Sequence, residues 1–132
     1  MDIILTIYPK NIEKIEVGIK KYEFRRSIYK NEDVKNAYIY ATVPVKKIVG
    51  VFKIGQVISG TPEEVWSRCS GGSGTTEESL MEYFKGKDTV YALEIIDYRK
   101  FDIPVEPRDY IEDFYPPQFF RYVEDGKSVF FI

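Results

Sequence analysis

Gly18-Ile19-Lys20-Lys21-Tyr22-Glu23-Phe24-Arg25-Arg26 places four cations and one carboxylate on a short strand-like run entered through a glycine. In an extended chain successive side chains alternate, so Lys21, Glu23 and Arg25 share one face and Tyr22 and Phe24 the other. One face packs; the other is free to bind. Upstream, Asp2 to Tyr8 carries Ile3, Ile4, Leu5 and Ile7, a short apolar run suited to a buried strand. Pro9 then supplies the preset φ favoured in the first turn of a helix. Ile12, Ile15 and Ile19 recur at helical spacing, and Gly18 stands where a helix most easily ends in a left-handed residue. Lys20 lies at the helix exit, where the negative end of the helix dipole favours its charge. The order read outward from the quoted run is strand, helix, glycine stop and charged strand.

Downstream the chain turns β-rich. Tyr38-Ile39-Tyr40-Ala41-Thr42-Val43-Pro44 is one run, with Tyr40 and Thr42 on a shared strand face. Lys47 to Ser59 is another, interrupted by Gly50 and Gly55 where a strand bulges or bends. Thr61-Pro62-Glu63-Glu64 is a capping box with proline at the first helical position. Cys69-Ser70-Gly71-Gly72-Ser73-Gly74 is a flexible connector by composition; it lacks the Gly-Lys-Ser/Thr ending of a nucleotide P-loop. Thr75-Thr76-Glu77-Glu78 caps a further helix that Gly86 stops, and Asp88 to Phe101 reads as a long strand. Trp66 and Tyr83 read as packing aromatics. Glu94 interrupts an apolar strand and either meets solvent or faces a cleft.

The segment Gly-x-Lys-x-x-Glu-x-Arg, followed by the Tyr38–Pro44 run and by Lys47-Ile48-Val49-Gly50, resembles the ASCH domain of the PUA-like superfamily over roughly residues 1–105. The segment Pro116-Pro117-Gln118-Phe119-Phe120-Arg121-Tyr122 resembles the end of the small single-domain prokaryotic members. The resemblance implies an α+β fold: a small β-barrel of about five or six strands with two or three short helices at its rim. It also implies that the charged segment lines a cleft, with Lys20, Glu23 and Arg25 on the motif positions. Arg26 is a flanking charge outside the motif. Without the resemblance, these charges read first as solvated groups on an exposed sheet face, and the resemblance reverses that order.

The bulk properties fit one domain over residues 1–132, with a core of about 1–105 and an aromatic C-terminal extension, 106–132, packing on it. The chain is 44% hydrophobic and 16% aromatic, ample for a single core. Cys69 is the single cysteine and histidine is absent, which excludes an internal disulfide and leaves no basis for a structural zinc site; no cofactor is expected. The N-terminal apolar run is short for a signal segment and has no basic leader. No stretch approaches the ~20 apolar residues that span a bilayer, so a cytoplasmic protein without membrane attachment is expected. The net charge of −2 argues against a broadly basic nucleic-acid binder, yet its distribution is uneven. Residues 1–60 hold eleven Lys or Arg against six Asp or Glu, and the rest hold eight against fifteen.

These readings point to an RNA- or nucleotide-binding module whose ligand site comprises Lys20, Glu23, Arg25, Arg26, Tyr40 and Thr42, with RNA or a modified nucleoside as partner. Phosphate is held by charge-assisted contacts, and an unpaired base by stacking and hydrogen bonds. Enzymatic activity stays open. Nucleophilic hydrolysis assisted by histidine is unavailable. The ASCH amidohydrolases use a Lys-x-x-Thr arrangement and a later glutamate; here Glu23 occupies the threonine position and the later acid falls in Ser70–Gly74, where there is no carboxylate. Thr42 and Glu94 are possible substitutes. The resemblance also admits a ribonuclease, since a lysine, a carboxylate and an arginine can move a proton and stabilise a phosphorane. A protein-interaction module built on the C-terminal aromatics is the remaining alternative. In that segment Glu124-Asp125-Gly126-Lys127 reads as a hairpin turn into a final strand, Ser128 to Ile132.

Overall fold

A computed structural model of the chain describes residues 1–123. The turn expected at Glu124 to Lys127 and the strand expected from Ser128 to Ile132 lie outside the described residues. The elements are β1 (Asp2–Ile7), α1 (Pro9–Glu16), β2 (Tyr22–Arg25), β3 (Asn36–Ala41), β4 (Lys47–Gly60), α2 (Pro62–Cys69), α3 (Glu77–Phe84), β5 (Val90–Val105) and β6 (Arg121–Val123). Short 3-10 turns occupy Ser70–Gly72 and Pro107–Asp109.

Local chemistry sets most of these boundaries. Pro9 opens α1, and Gly18, at φ +82°, takes the left-handed turn out of it. Ile12 and Ile15 are buried, but Ile19 lies past the helix end and is exposed. In α2 the capping box forms as read: Glu64 N–H donates to Thr61 Oγ1 and Thr61 N–H to Glu64 Oε1, both at 3.2 Å. Thr76 Oγ1 caps α3 by accepting from Ser79 N–H at 3.1 Å.

The six strands form one mixed sheet in the order β2-β5-β4-β3-β1-β6. Strands β1 and β3 are parallel, and the other described pairs are antiparallel. The expected α+β class holds, but the sheet is not closed into a barrel. Its ends, β2 and β6, are not joined by a ladder among the described residues. Strand β2 is four residues long, and its outer edge is met by a loop: Lys21 N–H donates to Gly72 O at 2.7 Å. The other side of the gap is held by side chains, as Thr6 Oγ1 donates to Pro117 O at 2.8 Å and Arg25 Nη2 to Phe119 O.

The long strands β4 and β5 slip register at three places, two of them flanking Gly50 and Gly55. A Cβ at Gly50 would stand 2.7 Å from the Arg99 carbonyl, and one at Gly55 would run into the Glu94 carboxylate. Glycine is therefore required at Gly50, where backbone approaches backbone, whereas at Gly55 the neighbours are side-chain ends that can move aside.

Three apolar clusters hold these layers. Ile3, Leu5, Ile39 and Phe52 pack with Ile12 and Ile15 of α1. On the opposite face, Ile4, Tyr38, Tyr40 and Ile48 are covered by Ile111 and Phe114 of the C-terminal segment. Phe24, Ile58 and Ala92 pack under Val65 of α2 and Leu80 and Phe84 of α3. Among the described residues, no helix is long and apolar enough to cross a membrane.

Candidate functional site

Where the sheet fails to close, a cavity of about 670 Å³ opens. Its walls come from the end of β1, one face of α1, strand β2, the Ser73–Thr75 segment, α3 and Pro117-Gln118. Strand β2 supplies the charged floor. Lys20, only 7% exposed, is fixed by its backbone N–H donating to Lys14 O at 3.0 Å. Its ammonium lies 3.4 Å from Glu23 Oε1 and 5.0 Å from the centre of the Phe24 ring, a cation–π contact. Glu23, also 7% exposed, turns its other oxygen to Arg25 Nη1 at 3.5 Å. One carboxylate thus bridges two cations. Lys10 and Lys14 of α1 also line the cavity, giving four cations against one carboxylate.

This imbalance has a chemical meaning. Removing charge from water is costly unless a counter-charge accompanies it, and Glu23 can neutralise only one of its two partners. Surplus, partly desolvated cations give a cleft the chemistry to receive an anion. Arginine offers a planar fork suited to two oxygens of a phosphate or carboxylate, and lysine a compact point charge.

Tyr83 of α3 closes one side of the floor, with its hydroxyl donating to Phe24 O at 3.4 Å. Burial pushes this phenol above its ordinary value, and the Arg25 guanidinium beside it opposes that shift.

Of the six site residues expected from sequence, Lys20, Glu23, Arg25 and Thr42 line this one cavity. Arg26 does not; its guanidinium donates to Lys85 O at 3.3 Å. Tyr40 does not either. It is 2% exposed, and its ring packs, tilted at 45°, 5.4 Å from that of Phe114. Tyr40 and Thr42 do not share a strand face, because β3 ends at Ala41 and the chain turns there, Thr42 N–H donating to Ile7 O at 3.3 Å.

Glu94 does not line the cleft; it is half-exposed at the β4–β5 ladder. Its Oε1 accepts from Gln56 N–H at 2.9 Å, serving the register slip between Ile54 and Val57. The glycine-rich run is not a loose connector but a built wall. Besides the Gly72 bond to β2, Gly74 O accepts from Lys14 Nζ at 2.8 Å, and a Cβ at Gly74 would stand 3.0 Å from Lys20 Cβ.

The reading from sequence missed the α1 wall. Tyr8, Asn11 and Lys14 are spaced three apart and run alongside the buried Ile12 and Ile15, so they share one helix face at the margin of the core. That polar stripe was a usable signal. Ser73 and Thr75 carried none, and Gln118 stood in a recognised segment with nothing to place it here, since all three positions depend on distant packing. Among the described residues, no group of three or more His, Cys, Asp or Glu comes together as a metal site.

No family model matches the chain. In sequence it is similar to an ASCH domain-containing ribonuclease of Zymomonas mobilis, 27% identical over 121 residues, covering 87% of this chain and 79% of that protein. It is also 28% identical over 91 residues to the large ribosomal subunit protein uL22 of Ureaplasma parvum, covering 69% of this chain and 29% of that protein. The chain thus spans less than a third of the ribosomal protein. Its backbone is similar to the crystal structure of the Zymomonas mobilis ASCH protein, with a TM-score of 0.88 at 24% identity, covering 97% of this chain and 91% of that one. A tyrosine-to-phenylalanine mutant of the same protein gives a TM-score of 0.89 at 23% identity, covering 98% and 95%. The backbone follows the Zymomonas ASCH protein over nearly its whole length and the sequence is similar to that same protein, so the chain shares the fold of that ASCH protein.

Proposed function

We propose that the chain is a ribonuclease of the ASCH type, which binds RNA in the cleft and breaks a phosphodiester against Lys20, Glu23 and Arg25. The observation that carries this reading is the surplus of cations at the buried floor: Lys20 and Arg25 share a single carboxylate. The relationship to an ASCH domain-containing ribonuclease supports cleavage over binding alone.

In the proposed reaction the ribose 2′-oxygen bonds to phosphorus while the bond from phosphorus to the 5′-oxygen breaks. Glu23 accepts the 2′-hydroxyl proton, and the Lys20 ammonium gives one to the departing 5′-oxygen. Arg25 holds the non-bridging oxygens as negative charge gathers on them. The absence of histidine from the chain directs the proton transfers to these groups. The amidohydrolase reading has less support, because Glu94 is engaged at the β4 bulge and does not line the cavity with Thr42.

The test is incubation of the pure protein with end-labelled single-stranded RNA and, separately, with N4-acetylcytidine. Cleavage leaving 2′,3′-cyclic phosphate ends, lost in Lys20→Ala and Arg25→Ala, is expected. RNA left intact by the wild type, or cut equally by Lys20→Ala, overturns the reading.

A further inference from the structure

The aromatic rings that line the cleft differ in what already occupies them. Phe24 is buried, with the Lys20 ammonium over its face and Phe84 edge-on at 6.1 Å. Tyr83 packs against Phe84 at 5.3 Å, and its hydroxyl is committed to Phe24 O. Tyr8 is different. It is 68% exposed, and among the described residues its ring makes no ring contact and its hydroxyl no hydrogen bond. Only its backbone is engaged: the carbonyl accepts from Asn11 N–H at 2.9 Å and Ile12 N–H at 3.1 Å. The ring is thus held at the helix entrance by the main chain while most of its surface stays open.

An exposed tyrosine with no structural duty is ordinary on a protein surface, but this one has particular neighbours. Asn11, three residues on, shares its helix face, and Gln118 reaches the same cavity from the C-terminal segment. Neither amide side chain has a protein hydrogen-bond partner among the described residues. A carboxamide offers both a donor and an acceptor, the pairing that a nucleobase edge presents. An open aromatic face with two uncommitted amides nearby is the equipment for holding one unpaired base. Exposure sets the order along the cleft: Lys20 is almost sealed, whereas Tyr8 stands at the rim.

We propose that Tyr8, Asn11 and Gln118 form a nucleobase subsite at the rim, where a base adjoining the phosphate held by Lys20 and Arg25 stacks on Tyr8. This rests on the ribonuclease reading and adds the part of the substrate that the charged floor leaves unread. The cleft, at about 670 Å³, has room for one nucleotide rather than a duplex.

The experiment compares binding of two probes, a fluorescein-labelled hexaribonucleotide and the base-free ribose 5-phosphate, to the wild type, Tyr8→Ala, Tyr8→Trp and Lys20→Ala. The Tyr8 side chain makes no capping bond, so its variants are expected to fold normally, which circular dichroism checks. The expected result is about tenfold weaker hexamer binding by Tyr8→Ala, restoration by Tyr8→Trp, and unchanged ribose 5-phosphate binding in both. Lys20→Ala should weaken both probes. If the wild type and Lys20→Ala discriminate as expected but Tyr8→Ala binds the hexamer normally, the base subsite is wrong and the phosphate site stands. If the wild type binds neither probe, the ribonuclease reading falls and the subsite with it.

Discussion

Glu23 and Glu94 are near neighbours across the β2–β5 ladder, yet they have opposite duties. Tyr22 pairs with Glu94 and Glu23 with Leu93, so the two carboxylates lie one step apart on opposite faces of the sheet. On one face Glu23 bridges Lys20 and Arg25 at the floor of an open cavity. On the other, Glu94 serves a backbone amide at a strand bulge. Residue type does not distinguish them. What separates them is supply: the first meets cations from its own strand and the preceding helix exit, the second a main-chain N–H released by a register slip.

The contrast is sharpest in activity. Glu23→Gln is expected to lower the RNA cleavage rate by about 100- to 10,000-fold, the range for loss of a positioned proton-transfer group, while Glu94→Gln leaves it unchanged. Single-turnover rates on labelled RNA measure both, and equal losses would erase the distinction drawn here. Stability should separate them less. Glu23→Ala leaves two cations facing each other at the buried floor and is expected to cost about 3 kcal/mol. Glu94→Ala removes one charge-assisted bond near the surface and is expected to cost about 1 kcal/mol, both read from urea unfolding.

Salt gives a smaller signature on the Glu23 side alone. A cleft with room for one nucleotide grips the one or two phosphates beside it and predicts a log–log slope of about −0.7 to −1.4 for a short single strand, at roughly 0.7 per phosphate. A much steeper slope in a titration would mean that a broad basic surface, not this cleft, holds the RNA.

The smallest expected effect lies at alkaline pH. Burial raises Tyr83 on the Glu23 side, and burial raises Tyr22 beside Glu94, each above the ordinary 10.0. A phenol raised in the folded state favours folding fully below the unfolded value and loses that contribution as pH rises through the folded one. Unfolding midpoints should therefore decline above about pH 10. Tyr83→Phe and Tyr22→Phe should each flatten that decline, which thermal melts from pH 9 to 11 would register.

The chain's local grammar was open to reading residue by residue. Pro9 and Gly18 bracket α1, Thr61 with Glu64 and Thr76 with Ser79 set the helix starts, and Gly50 and Gly55 mark the bulges, because each depends on neighbours within a few positions. Lys20, Glu23 and Arg25 were legible for the same reason: a helix exit and a strand's alternation bring them together at short range. Tyr40 illustrates the limit. It was expected beside Thr42 at a ligand, but a turn after Ala41 and a cover from Phe114 leave it in the core. What only the tertiary structure decided was the gap between β2 and β6, the Gly72–Gly74 wall, and the convergence of Tyr8, Asn11 and Gln118 on one opening. Each of those rests on contacts between segments distant in the chain, where packing chooses the partner and no periodicity announces it.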